Sequence, residues 1–293
     1  MESNQPTNPV PCPARVVVLY SAGHLGSALT MNRLVAMDEI DVVGVVRAQP
    51  LSLSKQGKSR IRAHFRRVGW RFAWLLFFQR IVQALGYALS LLLPATGKRL
   101  LPAWKIARKH DIPVLQTGDV NAAQTLQFVR ELEPHFLVSA YFSQILKPAI
   151  IELPRYGVLN LHPGWLPTYR GAMAYFWVLH NRSERGGVSV HWIDEGIDTG
   201  EVLEQRGFRI SQQATQETVL CLTAVIGSRL LRRVVRRLQS GRSAHADSCL
   251  VSKEDADYYP MPGSREFDSY FEHRRFFRIR DVLGLIAFRG RRR

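Results

Sequence analysis

Residues 15–20 read Arg-Val-Val-Val-Leu-Tyr, residues 21–23 read Ser-Ala-Gly, and residues 41–47 read Asp-Val-Val-Gly-Val-Val-Arg. A short β-branched run closed by small residues is the pattern of a strand buried on both faces. The segment between the two runs, from about His24 to Met37, has helical periodicity. The chain therefore opens as a β-α-β unit. The alternation resumes further on: helix over 98–110, strand over 113–115, helix over 122–132 and strand over 136–140. Strands at 157–161, 188–193 and 202–210 follow, then a long helix over 215–238 with a basic side. Strands alternating with helices predict an α/β fold, a Rossmann-like, mostly parallel sheet with helices on both faces. Ligands of such sheets gather beyond the carboxyl ends of the strands.

At 293 residues the chain is long enough for a full core, and 46% hydrophobic with 22% charged residues excludes wholesale disorder. The three cysteines, Cys12, Cys221 and Cys249, are far apart and contain no CxxC pair. They suggest neither a disulfide framework nor a zinc site, and fit a reducing cytoplasm. The polar N-terminus lacks the apolar core of a secretory signal. No metal is implied, because the nine histidines form no ligand cluster.

The charge is lopsided. The net charge is +16, and from Val42 to His110 there are 14 Lys or Arg and no Asp or Glu. Arg229, Arg232, Arg233, Arg236, Arg237 and Arg242 form a second basic run, and the chain ends Arg-Gly-Arg-Arg-Arg. Such asymmetry favours anionic partners, against the plain alternative of a solvated basic face. Residues 50–97 interrupt the β-α alternation. Their first part is polar and basic, and Trp70–Leu93 is almost wholly apolar apart from Arg71, Gln79, Arg80, Gln83 and Ser90. Arg80 near the centre argues against a membrane span. The expectation is a helical excursion packed on the domain or a partner, with a peripheral helix on the inner face of the membrane as the alternative.

Residues 160–170 read Asn-Leu-His-Pro-Gly-Trp-Leu-Pro-Thr-Tyr-Arg, and 191–200 read His-Trp-Ile-Asp-Glu-Gly-Ile-Asp-Thr-Gly. Asn160 and His162 are two apart, so along an extended segment they share a face. An amide donor, an imidazole and a carboxylate suit acyl transfer between nitrogens. The amide stabilises the oxyanion, and the imidazole, aided by the carboxylate, relays the proton. A lone Asn-x-His is more often a satisfied turn, and on composition Asp194 competes with Asp198.

Leu159–Gly171 followed by Gly187–Leu203 resembles the signature of the 10-formyltetrahydrofolate-dependent formyltransferases, and the likeness extends more weakly over about 15–238. That family acts on glycinamide ribonucleotide, methionyl-tRNA or amino sugars. The resemblance implies Asn160, His162 and Asp198 as the catalytic residues, choosing Asp198 over Asp194. It implies that the donor's pterin lies against Ser143, Gln144, Ile145 and Leu146 and against the loop Asp194, Glu195, Gly196 and Ile197. His191 would lie close to the pocket. Gly23 and His24, in a small-residue loop opening a helix, would serve the acceptor, whose phosphate such N–H groups can cradle. Gly164 stands where many relatives carry Ser. The resemblance implies a formyltransferase-fold catalytic domain over 14–240, with the helical insertion at about 50–97, and a short C-terminal arm over 241–293 packing on it. The expected reaction is formyl transfer from 10-formyltetrahydrofolate to an anionic amine acceptor. A nucleotide- or lipid-linked amino sugar comes first, methionyl-tRNA second and glycinamide ribonucleotide third, with hydrolysis of the donor as the alternative reaction. The expected location is the cytoplasm.

Overall fold

The computed structural model describes residues 9–48, 101–241 and 257–274, together with single positions at 69, 77, 81, 84, 85, 88 and 278. Seven strands form one sheet in the order β3-β2-β1-β4-β5-β7-β8. They are β1 (Ala14–Ser21), β2 (Ile40–Ala48), β3 (Val114–Thr117), β4 (Phe136–Ala140), β5 (Gly157–His162), β7 (Arg185–Trp192) and β8 (Val202–Arg209). β1 to β5 are parallel, whereas β7 runs antiparallel to β5 and β8 antiparallel to β7. The sheet is thus mostly parallel, as the alternation predicts.

The β-branched runs explain why it is buried on both sides. Alternate residues of β1 point to opposite faces. Val16 and Val18 enter one apolar cluster, with Met31 and Leu34 of α1 (Leu25–Leu34) and Ile106 of α2 (Ala103–Lys109). Val17 and Leu19 enter another, with Val129 of α3 (Ala123–Glu131) and Ile150 of α4 (Pro148–Ile151). The long basic helix α6 (Gln216–Gln239) covers the first face through Leu230, Leu231, Val234, Val235 and Leu238. It starts at Thr215, whose side chain accepts from the backbone N–H of Thr218. Gly227 lets it approach β5 closely, since a Cβ there would meet the Leu161 side chain.

The basic side of α6 is partly paired within the fold. Arg232 grips Glu39 at 2.8–3.0 Å and Arg236 stands 3.6 Å from the same carboxylate. Arg233 pairs with Glu204 at 2.8 Å, and Arg237 pairs with it as well. Four of the six arginines of the run are therefore tied to two carboxylates distant in sequence, which sequence counting could not reveal. Arg242 lies outside the described residues.

Downstream, a two-stranded sheet joins β6 (Arg170–Gly171) to β9 (Tyr258–Tyr259) in parallel. Helix α7 (Ser264–His273) buries Phe267 and Tyr270 against Phe176 of α5 (Ala174–His180), with ring centroids at 4.9 and 5.0 Å. The bulk of the 50–97 insertion lies outside the described residues. Within it Ile81 and Leu85, one helical turn apart, are helical and 39% and 55% exposed. Those two positions thus do not pack into the core. Among the described residues no helix is long and apolar enough to cross a membrane.

Candidate active site

Asn160 and His162 share one face of β5, as their spacing requires, and His191 on β7 pairs directly across from Asn160. Because β7 is antiparallel, its end at Trp192 lies beside Leu159 rather than beyond His162. The β7–β8 connection must double back over the sheet to deliver its carboxylate. It does so with Asp198 in the left-handed region at φ 52°, which Asp tolerates better than most residues. The cluster is therefore built on the last three residues of β5, at its carboxyl end.

Asp198 is the hub. Its Oδ2 accepts from the Gly171 backbone N–H at 2.9 Å and faces His162 Nδ1 at 3.5 Å. Its Oδ1 accepts from Asn160 Nδ2 at 3.3 Å and lies 3.5 Å from His191 Nε2. Asp194 is elsewhere: its Oδ1 accepts from Gly196 N and from Thr199 Oγ1 at 3.0 and 2.6 Å, closing its own turn. Geometry thus separates two aspartates that composition left equal.

Proton positions follow from donor and acceptor capacity. His162 Nε2 lies 2.6 Å from the Tyr169 carbonyl oxygen, which can only accept, so Nε2 carries a proton. The carboxylate facing Nδ1 also only accepts. The doubly protonated imidazolium satisfies both partners. Burial of His162 disfavours that charge, but Asp198 and the Tyr169 carbonyl outweigh it and raise the pKa. Burial likewise pushes the Asp198 carboxyl upward, yet the His162 imidazolium holds it well below the usual carboxylate range. His191 Nδ1 donates to the Trp192 carbonyl at 2.7 Å, leaving the Nε2 lone pair toward Asn160 Nδ2 at 3.0 Å. Both N–H bonds of the Asn160 amide are therefore engaged, one by Asp198 and one by His191.

The other sequence-predicted residues are distributed around this centre. Ser143 accepts from Ser21 Oγ at 3.0 Å, joining the loops after β4 and β1. Gln144 braces a neighbouring loop, its Oε1 accepting from Val120 N at 2.6 Å and its Nε2 donating to Gly118 O at 3.2 Å. Leu146 is buried, while Ile145 and Ile197 are exposed apolar side chains, and Glu195 and Gly196 are exposed beside Ile197. Leu146 and Ile193, at the roots of these two loops, share one apolar cluster. Gly23 has φ 74°, and His24 stacks on Tyr141 at 5.1 Å. At Gly164 a Cβ would stand 2.7 Å from His162 Nε2 and 3.0 Å from Tyr169 O. The glycine is what allows that carbonyl to reach the imidazole.

Sequence reading missed the segment 169–171. It supplies a carbonyl to His162 and an N–H to Asp198, while the Arg170 guanidinium donates twice to the Ile197 carbonyl at 2.8 and 3.0 Å. Two of these contacts are main-chain, so no residue type announces them. The one available hint was Gly171, whose φ is +100°.

Residues 100–235 match the family model described as formyl transferase. Methionyl-tRNA formyltransferase from Methylacidiphilum infernorum is 37% identical over 142 residues, 48% of this chain and 44% of that protein. The enzyme of the same name from Syntrophus aciditrophicus is 35% identical over 169 residues, 54% of each chain. The chain thus spans about half the length of the curated relatives it matches. Among solved structures, phosphoribosylglycinamide formyltransferase from Bacillus Halodurans aligns with TM-score 0.52 at 18% identity, covering 77% of this chain and 95% of that one. The N-formyltransferase from Helicobacter canadensis, complexed with folinic acid and dTDP-3-aminofucose, aligns with TM-score 0.51 at 17% identity over 84% and 70%. These two likenesses establish the fold.

Proposed function

We propose that the protein transfers a formyl group from 10-formyltetrahydrofolate to a primary amine, a reading supported by the match of residues 100–235 to the formyl transferase model. The observation that carries this reading is the convergence of Asn160, His162 and Asp198, with no separation above 3.5 Å along the chain of contacts. A role confined to binding has no need of a buried imidazolium–carboxylate pair beside an amide.

In the reaction the acceptor nitrogen bonds to the formyl carbon and the bond from that carbon to the donor nitrogen breaks. Negative charge gathers on the formyl oxygen. Asn160 Nδ2 donates to it, exchanging its longer bond, the 3.3 Å contact to Asp198, for the substrate oxygen. Such a donor contributes about 3–4 kcal/mol in comparable oxyanion sites. The amine gives up a proton and the leaving nitrogen gains one. His162, held charged by Asp198, supplies that proton and is recharged from the amine, directly or through water. The donor's flat ring is assigned to the loops at 143–146 and 194–198, where Ile145 and Ile197 offer exposed apolar side chains to cover. His191 fixes the Asn160 amide rather than reacting.

For the acceptor, a phosphate-bearing amino sugar is the first choice. A lipid-linked one joins an anionic group to an apolar chain, which matches the basic and then apolar segments of the insertion. Methionyl-tRNA is the second, favoured by the names of the curated relatives. The test supplies the full chain with the folate donor and each amine class and follows tetrahydrofolate release. Release with one class identifies it. No release with any class overturns the proposal, and formate without an amine would replace transfer by hydrolysis.

A further inference from the structure

His162 and Asp198 are each held by a main-chain group of one short segment: the Tyr169 carbonyl and the Gly171 N–H. That segment is itself held by residues far away in sequence. Arg170 N donates to Asp257 O at 3.2 Å and Ala172 N to Tyr259 O at 2.9 Å, as β6 pairs with β9. The Tyr259 ring stacks on Tyr169 with centroids 5.2 Å apart and planes 18° apart, and packs 5.1 Å from Trp177. The Tyr259 hydroxyl accepts from Asn181 Nδ2 at 3.0 Å, and Trp177 Nε1 donates to Pro260 O at 3.0 Å. A Cβ at Gly171 would run into the Tyr259 carbonyl, so the approach is as close as backbone permits. Downstream, Phe267 and Tyr270 are 1% and 0% exposed, which anchors this strand to the body of the protein.

We infer that Tyr259 is a positioning residue of the active centre: seated on Tyr169, its ring sets where the Tyr169 carbonyl meets His162 and where the Gly171 N–H meets Asp198. The arm is then part of the reaction machinery although none of its described side chains enters the cluster. The catalytic half of the inference rests on the reading of His162 and Asp198 given above; the structural half does not. Catalytic groups tolerate little displacement, and an error of about 1 Å costs up to roughly a hundredfold in rate.

The test uses the full chain carrying Tyr259→Leu, Tyr259→Phe or Tyr169→Leu. Two quantities are read: the titration of the His162 imidazole by NMR without substrates, and kcat and KM. The titratable groups bearing on His162 are the Asp198 carboxylate at 3.5 Å and, with centroids 6.2 Å apart, the His191 ring, read above as neutral. Neither residue is replaced, so a change reports the 169–171 segment, through the Tyr169 carbonyl on His162 or the Gly171 N–H on Asp198. Tyr259→Leu removes the stack and is expected to lower the His162 pKa. Its kcat should drop about ten- to a hundredfold with KM changed less than about twofold. Tyr259→Phe loses only the Asn181 bond and should restore both quantities. Tyr169→Leu, which keeps the carbonyl but loses the other half of the stack, should repeat the downward shift. A folded Tyr259→Leu protein that titrates and turns over like the parent overturns the inference, as does a Phe variant as impaired as the Leu variant. If Tyr259→Leu does not fold, an unshifted Tyr169→Leu overturns it equally. Failure of the formyl-transfer reading would appear instead as absent turnover in the parent chain, with the NMR comparison still deciding this point.

Discussion

Asp198→Asn removes one charge and keeps the shape, which makes it the sharpest perturbation of the cluster. The carboxylate accepts from Gly171 N at 2.9 Å and Asn160 Nδ2 at 3.3 Å and faces His162 Nδ1 at 3.5 Å, with His191 Nε2 also 3.5 Å away. An amide has one oxygen, so its NH2 must face either the Gly171 N–H and His162 or the Asn160 NH2, donor against donor. At 3.5 Å and an effective dielectric of about 20, the ion pair with His162 has a Coulomb term of about 5 kcal/mol before desolvation is subtracted. Desolvation cancels much of that, and His162 can discharge once the carboxylate is gone. The net destabilisation expected is therefore about 1–3 kcal/mol, the scale of one buried donor left unsatisfied. The rate suffers more, because the neutral imidazole no longer supplies a proton; kcat should fall about 10²–10⁴-fold. The pH dependence has a definite sign. The raised His162 pKa stabilises the fold fully below the ordinary imidazole value and loses that contribution as pH rises through the folded pKa. The lowered Asp198 pKa stabilises above the ordinary carboxylate range and loses its contribution as pH falls through the depressed value. The gap in thermal midpoint between parent and variant should be widest between those limits and should close on either side. Single-turnover release of tetrahydrofolate and thermal denaturation across pH measure both effects. A variant within about threefold of the parent rate at neutral pH, or a midpoint gap independent of pH, would refute this account of the pair.

Asn160→Ala should cost about 10²–10³-fold in kcat while donor KM moves little, since the amide is assigned to charge that develops only in the transition state; equal effects on both constants would place it in binding instead. Phe267→Ala, at a site 1% exposed against Phe176, should destabilise the chain by about 3–5 kcal/mol in urea unfolding. An arm that merely rests on the surface would yield well under 1 kcal/mol. Glu39→Ala frees Arg232 and Arg236 from an exposed pair, so stability should change by no more than about 1 kcal/mol. Retention on an immobilised polyanion should increase at the same time, and unchanged retention would show that these arginines face no accessible anion.

The elements of the sheet were legible because burial on both faces demands continuous β-branched runs. Val16–Leu19 and Val42–Val46 cannot be hidden any other way. Asn160 and His162 were legible as a pair because a period of two is a property of the strand itself. The antiparallel turn of β7, by contrast, is invisible in a run such as Val188–Trp192, since strand direction is chosen by the connection and not by the residues. The pairing of the basic run on α6 is hidden in the sequence for a related reason. Charge can be counted from residue types, but Glu39 and Glu204 reach Arg232 and Arg233 only after the chain has folded.

Local composition thus determined which segments are strands and helices, and which residue types were available for acyl chemistry. The choice of Asp198 over Asp194 came from likeness to known enzymes and, independently, from a loop that doubles back over the sheet. The carbonyl of Tyr169, the N–H of Gly171 and the bracing of both by Tyr259 belong to the tertiary structure alone. Every residue but proline carries the same backbone N–H and C=O, so their roles are assigned by position in space and leave no mark in the order of side chains.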